Sequence, residues 1–282
     1  MTITAKMVQQ LRERTGAPLM DCKRALAATS GDLEAAIDNL RKAGLKSAEK
    51  RAGRSTAEGR VRAWVAPDGQ LGSIVALTSE TDFVAKTEEF VRLAEELARH
   101  VAERAPASVA ELLEQQLAGG RPVGETIKQL SGKMGENMQV ACAARWENRA
   151  GRVGAYVHHD QKQGALISIT SNRPAAEVDA FLRTLAMHVV ARKPAALTRD
   201  QIPAAEVERE RKVYLESEDV LAKPQDKREF IVKGKLEKYF AGAALLEQPW
   251  VLDDKLNVKK ALEAALGASA RVEGFSLCLA SA

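Results

Sequence analysis

The sequence GRVRAWV at residues 59–65 returns 92 positions later as GRVGAYV at residues 151–157. At the same offset, GSIVALTS at residues 72–79 returns as GALISITS at residues 164–171. The four segments are rich in β-branched residues, and turn-forming residues join the members of each pair, which is typical of antiparallel hairpins. A repeat at a fixed offset indicates two subdomains built on one plan.

Each copy of the repeat continues into a segment with helical periodicity. These segments share an early phenylalanine, Phe90 or Phe181, and a late histidine, His100 or His188. Both histidines fall on apolar helical faces, so we predict core or boundary positions for them. Sheets followed by helices predict the α+β class, with two repeated antiparallel-sheet-plus-helix subdomains.

The first fifty residues predict three short helices. Thr4 and Asp32 are suited to cap the first and the third, and Gly-Ala-Pro at residues 16–18 separates the first two. Gly44 predicts the end of the third helix, and residues 45–58, rich in Lys, Ala, Gly and Ser, predict a basic linker. Three short helices with a Gly-Asp turn resemble the ubiquitin-associated (UBA) fold.

Residues 199–240 interrupt the second copy. Eight of the thirteen residues at 206–218 are charged, and Val207, Tyr214 and Leu221 recur every seven residues. This pattern predicts an antiparallel helical hairpin with a narrow apolar seam. The predicted domains are a UBA-like module with its linker at residues 1–54, a first core subdomain at 55–142, a second at 143–198 and 241–282, and the helical hairpin at 199–240.

The composition is that of an ordinary globular chain, with 45% hydrophobic and 28% charged residues. No apolar run reaches the roughly 18 residues of a membrane span, and the first residues lack the apolar stretch of a signal peptide. Cys22, Cys142 and Cys278 are odd in number and form no CxxC pattern. We therefore expect a cytoplasmic protein without membrane contact, disulfides or a zinc site.

Basic charge is concentrated near the N-terminus. Residues 1–62 hold 13 Lys and Arg against 7 Asp and Glu, whereas the rest of the chain holds 29 against 31. Such a segment suits an acidic protein surface or RNA. Aromatic residues make up only 4%, so base-stacking surfaces are scarce, and we expect neither DNA nor, as the primary ligand, RNA.

Motifs of catalysis and nucleotide binding are absent from the sequence. Gly-Lys-Met at residues 132–134 lacks the upstream glycine and the hydroxyl residue of a phosphate-binding loop, and no GxGxxG, HExxH or GxSxG occurs. His158 and His159 are the one pair that suggests a metal, but neighbouring residues of a strand point to opposite faces. We predict no catalytic residue, no cofactor and no metal site.

One loop distinguishes the first copy of the repeat from the second. Where the second copy has Asn-Arg-Pro at residues 172–174, the first has ETDFVAK at residues 80–86. Such connections run over the surface of a protein. Phe83 therefore either lies under its own loop or forms an exposed hydrophobic contact, flanked by Asp82 and Lys86, for a partner.

TDFVAK at residues 81–86 resembles the signature of the elongation factor Ts family. Other landmarks of that family follow in the expected order: LRERTGA at 11–17, MDCKRAL at 20–26, GEN at 135–137, AMHV at 186–189, KP at 193–194 and LEQP at 246–249. The resemblance covers nearly the whole chain. It implies a translation elongation factor that catalyses no covalent step and acts as a guanine-nucleotide exchange factor, binding EF-Tu with GDP, displacing Mg²⁺ and promoting GDP release.

The resemblance also implies which residues contact EF-Tu. The exchange wedge would consist of Thr81, Asp82, Phe83 and Val84. Further contacts would come from Arg12, Leu19, Met20 and His158. Relatives use the region of the hairpin in dimerisation or in contacts near EF-Tu, so the resemblance leaves a homodimer through residues 199–240 open.

Three other functions compete with this interpretation. A UBA-type binding module predicts affinity for ubiquitin-like surfaces and no effect on a GTPase. An RNA-binding protein that uses the basic residues 41–62 predicts an affinity that falls steeply with salt. A hydrolase would be built around His158 and a neighbouring carboxylate. None of the three accounts for the repeat, the loop at residues 80–86 and the family motifs together.

Overall fold

The computed structural model describes residues 2–281 and confirms the α+β class. The chain divides into two compact units. The first consists of Met1–Arg62, Val75–Ala143 and Cys278–Ala282, and the second of Ala63–Ile74 and Ala144–Leu277.

The helices alternate with small sheets along the chain. Those of the first unit are α1 (Ala5–Thr15), α2 (Leu19–Ala28), α3 (Leu33–Arg51), α4 (Asp82–Ala85), α5 (Glu88–Arg104), α6 (Val109–Glu114) and α7 (Val123–Met134). Those of the second unit are α8 (Ala175–Arg192), α9 (Ala204–Leu215), α10 (Glu218–Leu221), α11 (Gln225–Ala243) and α12 (Val258–Leu266).

The strands form two three-stranded sheets and one two-stranded sheet. They are β1 (Glu58–Val65), β2 (Leu71–Ser79), β3 (Met138–Glu147), β4 (Arg152–Val157), β5 (Gln163–Thr170), β6 (Pro249–Trp250), β7 (Asp253–Asn257) and β8 (Arg271–Leu279). The strand orders are β1-β2-β3, β4-β5-β8 and β6-β7. None of the described helices is long and apolar enough to cross a membrane.

The repeat seen in the sequence corresponds to equivalent elements. Its two copies lie on β1 and β2, followed by α5, and on β4 and β5, followed by α8. Strands β4 and β5 pair antiparallel, with Arg152 opposite Ile169 and Val157 opposite Gly164. Phe90 is fully buried on α5, and Phe181 is buried on α8. The prediction of one plan used twice is confirmed.

Both repeat histidines are buried, as predicted, and each has a glutamine as its partner. His100 Nε2 lies 2.9 Å from Gln115 Oε1, and His188 Nε2 lies 2.9 Å from Gln248 Oε1. Gln248 Nε2 donates to Gly242 O at 2.6 Å, which leaves its Oε1 as the acceptor for His188. His188 Nε2 is therefore the donor in its hydrogen bond with Gln248.

The N-terminal helices have the predicted caps. The Thr4 hydroxyl accepts from the Met7 N–H, and the Asp32 carboxylate accepts from the Ala35 N–H at 3.0 Å. Leu11 and Leu26 are fully buried in the core of this helical group.

The predicted end of α3 at Gly44 is wrong, and the linker predicted at residues 45–58 is helical as far as Arg51. Helix α3 continues to Arg51, and its Gly44 packs against Gly132 of α7. A Cβ atom on Gly132 would lie 2.7 Å from the Gly44 backbone. Gly44 therefore serves a close approach of two helices, which a pattern of helix-ending residues cannot distinguish from a terminus.

The helical hairpin forms from α9, α10 and α11. The Arg211 guanidinium donates to Glu229 at 2.7 Å, and the Tyr239 hydroxyl donates to Glu206 at 3.2 Å. Leu221, predicted in the seam, is 49% exposed, and Val220 is buried in its place. Because α9 ends at Leu215 and a separate short helix follows, the seven-residue spacing does not keep its phase across the break.

The expectation of three unpaired cysteines is wrong for two of them. Cys142 of β3 and Cys278 of β8 form a disulfide with a Cα–Cα distance of 5.6 Å, whereas Cys22 is free and buried. The two positions are 136 residues apart, so only the tertiary structure brings them together.

We expect the disulfide to stabilise the oxidised protein. Cys142→Ser should lower the free energy of unfolding by about 2–4 kcal/mol without reductant, because the bond restricts a long loop in the unfolded chain. Denaturant unfolding with and without dithiothreitol measures this difference. Cys22→Ser is the control, since its effect should not depend on reductant. Equal unfolding midpoints for the unmodified protein in both conditions would contradict the prediction.

The stability of the fold should depend on pH through His188. Burial, helped by the charge of Arg192, lowers the pKa of His188 below its ordinary value of 6.5, although the Gln248 hydrogen bond opposes the shift. Below pH 6.5 the unfolded chain binds a proton at this histidine that the folded chain excludes. The contribution of His188 to the free energy of unfolding is therefore fully present above pH 6.5 and falls as the pH decreases below it.

His188→Gln should flatten that dependence. The slope of unfolding free energy against pH between 6.5 and 5 should decrease by up to about 1.4 kcal/mol per pH unit, the value for one proton. Exposed His159→Gln serves as the control and should keep the original slope. The same slope in His188→Gln would refute the assignment.

Candidate functional site

The loop that distinguishes the two repeats forms a single helical turn, α4, between β2 and α5. Thr81 caps this turn, and its hydroxyl accepts from the Val84 N–H at 3.4 Å. Val84 and Ala85 are buried, whereas Phe83 is 81% exposed. Of the two predicted orientations for Phe83, the structure has the exposed one.

A charged pair accompanies Phe83 on the surface of α4. Lys86 Nζ lies 2.5 Å from Asp82 Oδ2, one helical turn apart. Both side chains are solvent-exposed enough for such a pair to contribute little to stability. An exposed aromatic ring beside a compact ion pair is a surface suited to a protein partner.

The base of the turn is bound by Glu136, which follows α7. The backbone N–H and the hydroxyl of Thr81 donate to the two oxygens of Glu136 at 3.0 and 2.6 Å. The Ser79 hydroxyl donates to the Thr81 carbonyl at 3.0 Å. Both donors and the carbonyl of Thr81 therefore form hydrogen bonds with other residues of the first unit.

A second glutamate, Glu80 before the turn, accepts a hydrogen bond from the residues after α7. Glu80 accepts from the Asn137 N–H at 2.6 Å and pairs with Arg54 at 3.4 Å. The buried amide of Asn137 donates to the carbonyls of Ala52 and Arg54, at 3.3 and 2.7 Å. In the sequence, Gly-Glu-Asn at residues 135–137 stands out only as a family landmark, because no local pattern reveals a contact with residues 80 and 81.

The predicted contact residues of the N-terminal helices lie at the surface. Arg12 is exposed on α1, and Leu19 and Met20 are 51% and 61% exposed in the first turn of α2. Gly16 has a left-handed backbone, with φ 67°, and Pro18 precedes the helix. This tight turn fixes two apolar side chains outside the core formed by their own helix.

Lys133 of α7 contacts the turn before α2 and also α5 of the same unit. Its ammonium lies 2.8 Å from both oxygens of Glu89 on α5, and its side chain occupies the space that a Cβ on Gly16 would need. Arg41 of α3 also pairs with Glu125 of α7 and lowers the pKa of that carboxyl below its usual 4.5. Helix α7 is thus bound to the N-terminal helices and, through Glu136, to the Phe83 turn.

His158 lies in the second unit, in the turn after β4. Its Nδ1 is 3.3 Å from Asp160 Oδ1. Burial would raise the pKa of Asp160, but the Lys162 N–H and His158 bring it below the ordinary 3.8. The rings of His158 and His159 are 4.1 Å apart, so the predicted opposite orientation is wrong, because the strand ends at Val157. Within residues 2–281, no three His, Cys, Asp or Glu are grouped closely enough to hold a metal.

Comparison with known proteins gives relatives along nearly the whole chain. A family model described as Elongation factor TS matches residues 80–278. The protein named Elongation factor Ts of Magnetococcus marinus is 37% identical over 280 residues, which cover 98% of this chain and 92% of the relative. The chain belongs to the elongation factor Ts family. It is accordingly a member of a family of translation elongation factors, and its exposed turn lies within the matched region.

Two further relatives carry the same name. Elongation factor Ts of Symbiobacterium thermophilum is 41% identical over 261 residues, covering 91% of this chain and 84% of the relative. That of Thioalkalivibrio sulfidiphilus is 40% identical over 276 residues, covering 98% and 91%. The similarity therefore extends beyond the signature loop to most of both chains.

The glycine contact between α3 and α7 should be sensitive to a single methyl group. Gly132→Ala should lower the free energy of unfolding by about 1–3 kcal/mol, since its Cβ would overlap the Gly44 backbone and force the helices apart. Gly234→Ala on α11 is the matched control, because a Cβ there meets nothing within 4 Å. Chemical denaturation compares the two. A Gly132→Ala protein as stable as Gly234→Ala would contradict the close contact.

Proposed function

We propose that this protein is a guanine-nucleotide exchange factor for EF-Tu. It would bind EF-Tu with GDP, displace Mg²⁺ and promote GDP release so that GTP can bind. The observation that carries the proposal is the 81% exposure of Phe83 on a turn whose base is fixed by Glu136. Family membership supports it, because the same turn carries the family signature.

Thr81, Asp82, Phe83 and Val84 form the proposed exchange wedge. A GTPase holds the phosphates of its nucleotide with Mg²⁺ and with the backbone of its switch regions. Insertion of the Phe83 ring beside these elements shifts that backbone and removes the metal from its site. The bound nucleotide then has a higher free energy and dissociates faster.

The energy of one inserted ring is of the required size. Acceleration of GDP release by roughly a thousandfold requires about 4 kcal/mol of barrier reduction. Burial of one phenylalanine, roughly 150–250 Å² at about 25 cal/mol/Å², supplies about 4–6 kcal/mol before costs. Because the costs of association are of similar size, other contacts must hold the factor in place.

Two further regions supply these contacts. Leu19 and Met20, with Arg12 nearby in sequence, present apolar and basic groups to the GTPase domain, and the UBA-like module at residues 1–54 would act as the docking domain. His158 of the second core subdomain contacts another domain of EF-Tu. Exposure of Leu19 and Met20 supports their role. If the factor weakens the binding of GDP to EF-Tu, GDP must weaken the binding of the factor to the same degree, so rebinding of nucleotide releases the factor.

The proposed action makes and breaks no covalent bond and uses no cofactor. It takes place in the cytoplasm, where the partner GTPase works on translation. Homodimerisation through residues 199–240 stays a separate prediction, which the mass of the protein in solution tests.

Phe83→Ala should abolish most exchange activity without loss of fold. We expect GDP release from EF-Tu to slow by about a hundredfold or more, since the largest apolar contact of the wedge is removed. Release of a fluorescent GDP analogue, at catalytic amounts of the factor, measures the rate. The half-saturating concentration should change less than the maximal rate, because the other contacts remain.

Phe230→Ala is the matched control. Phe230 is also 81% exposed but lies on α11 in the hairpin, so the substitution removes the same ring from an equally exposed site. It should keep the exchange rate. Full activity of Phe83→Ala would refute the wedge, and no acceleration by the unmodified, folded protein would refute the proposed function itself.

A further inference from the structure

Two glutamates form reciprocal hydrogen bonds between the wedge and the residues after α7. Glu136 accepts from the Thr81 N–H, and Glu80 accepts from the Asn137 N–H. Each carboxylate therefore takes the backbone donor that follows the other carboxylate in sequence. Hydrogen bonds of this kind to an ionised carboxylate are shorter and stronger than neutral ones.

The Thr81 hydroxyl connects this pair of hydrogen bonds to the orientation of α4. Its single hydrogen is donated to Glu136 at 2.6 Å, so its lone pairs are free to accept the Val84 N–H at 3.4 Å. In this rotamer the hydroxyl satisfies both partners. That rotamer sets the direction of a four-residue helix, which is far too short to be stable by itself.

The backbone around Glu136 is also held by hydrogen bonds. The Ser131 hydroxyl donates to the Glu136 carbonyl at 2.5 Å, and Gly135 ends α7 in a left-handed conformation with φ 80°. Asn137 is buried and bonded to two carbonyls through its amide. The acceptor that holds the wedge therefore stands on a rigid segment of the first unit.

We propose that Glu136 is a positioning residue, which orders the Thr81–Val84 turn and fixes the exposed direction of Phe83 before any partner is bound. The proposal rests on the exchange function proposed above. Glu136 acts through Thr81 and contacts no nucleotide. Without it, Phe83 samples many directions, and the partner must order the turn during binding, which reduces the rate of displacement more than the affinity.

Amide hydrogen exchange tests the positioning without any partner. Glu136→Ala removes both acceptors, and Glu136→Gln keeps the side-chain length but loses the charge and one acceptor. Protection of the Thr81 and Val84 amides should fall by about tenfold or more in Glu136→Ala and by less in Glu136→Gln. The Asn137 amide, held by Glu80, should keep its protection. Loss at all three amides would indicate general loosening and overturn the specific role, as would unchanged protection at Thr81.

Nucleotide release then tests the consequence. The maximal exchange rate with EF-Tu should fall by about ten- to a hundredfold in Glu136→Ala, with Glu136→Gln between it and the unmodified protein. The half-saturating concentration should change less. Glu103→Gln on α5, whose exposed carboxylate pairs with Arg99, is the control and should match the unmodified protein.

The two measurements separate failure of this inference from failure of the exchange function. If Phe83→Ala loses exchange while Glu136→Ala keeps both Thr81 protection and exchange, the positioning role is wrong and the wedge stands. If Glu136→Ala loses Thr81 protection but exchanges normally, order in the turn has no effect on the rate and the inference is again wrong. If the unmodified protein does not accelerate release, the proposed function fails, and protection alone decides whether Glu136 orders the turn.

Discussion

The contact between Gly44 of α3 and Gly132 of α7 determines the organisation of the first unit. A Cβ on Gly132 would lie 2.7 Å from the backbone of Gly44, so the two helices can approach this closely only because Gly132 has no side chain. The close approach aligns α7 with the N-terminal helices along their length, where Arg41 pairs with Glu125 and Lys133 reaches across Gly16 to Glu89. The residues after α7 then hold the Phe83 turn. One helix therefore supports both of the exposed apolar surfaces of this unit.

Those exposed surfaces conflict with the rule that large apolar side chains are buried. Phe83, Leu19 and Met20 stand largely in water, although each sits beside well-packed neighbours. Other constraints replace the missing burial. The carboxylate of Glu136 accepts hydrogen bonds from Thr81 beside Phe83, and the backbone turn at Gly16 and Pro18 precedes Leu19 and Met20. Local departures from an otherwise consistent pattern are expected at functional sites. Without these contacts the side chains would be free to fold inward onto the unit.

Local signals predicted much of this architecture. The repeat gave the paired strands, and hydroxyl and carboxylate caps gave the starts of α1 and α3. What local signals missed depends on distant partners. Gly44 resembles a helix terminus in the sequence because its contact lies on α7. The partners of Cys142 and Glu136, which are Cys278 and Thr81, are also distant in the sequence. For Phe83 the sequence left two orientations open, since exposure is decided by the packing of Val84 and Ala85 and by a carboxylate from another helix.

The proposed nucleotide exchange would benefit from a supporting carboxylate that belongs to the factor itself. A flexible loop that acquires its shape on the partner uses part of its interaction energy for ordering. A turn already ordered by Glu136, as we propose, would apply the energy of the inserted ring to the switch backbone and the metal. Release of the factor would follow from reciprocity, because the nucleotide weakens binding of the factor as much as the factor weakens binding of the nucleotide. In the proposed function, fast exchange would therefore depend on one physical feature, a short helix that is held by charge-assisted hydrogen bonds before it meets its partner.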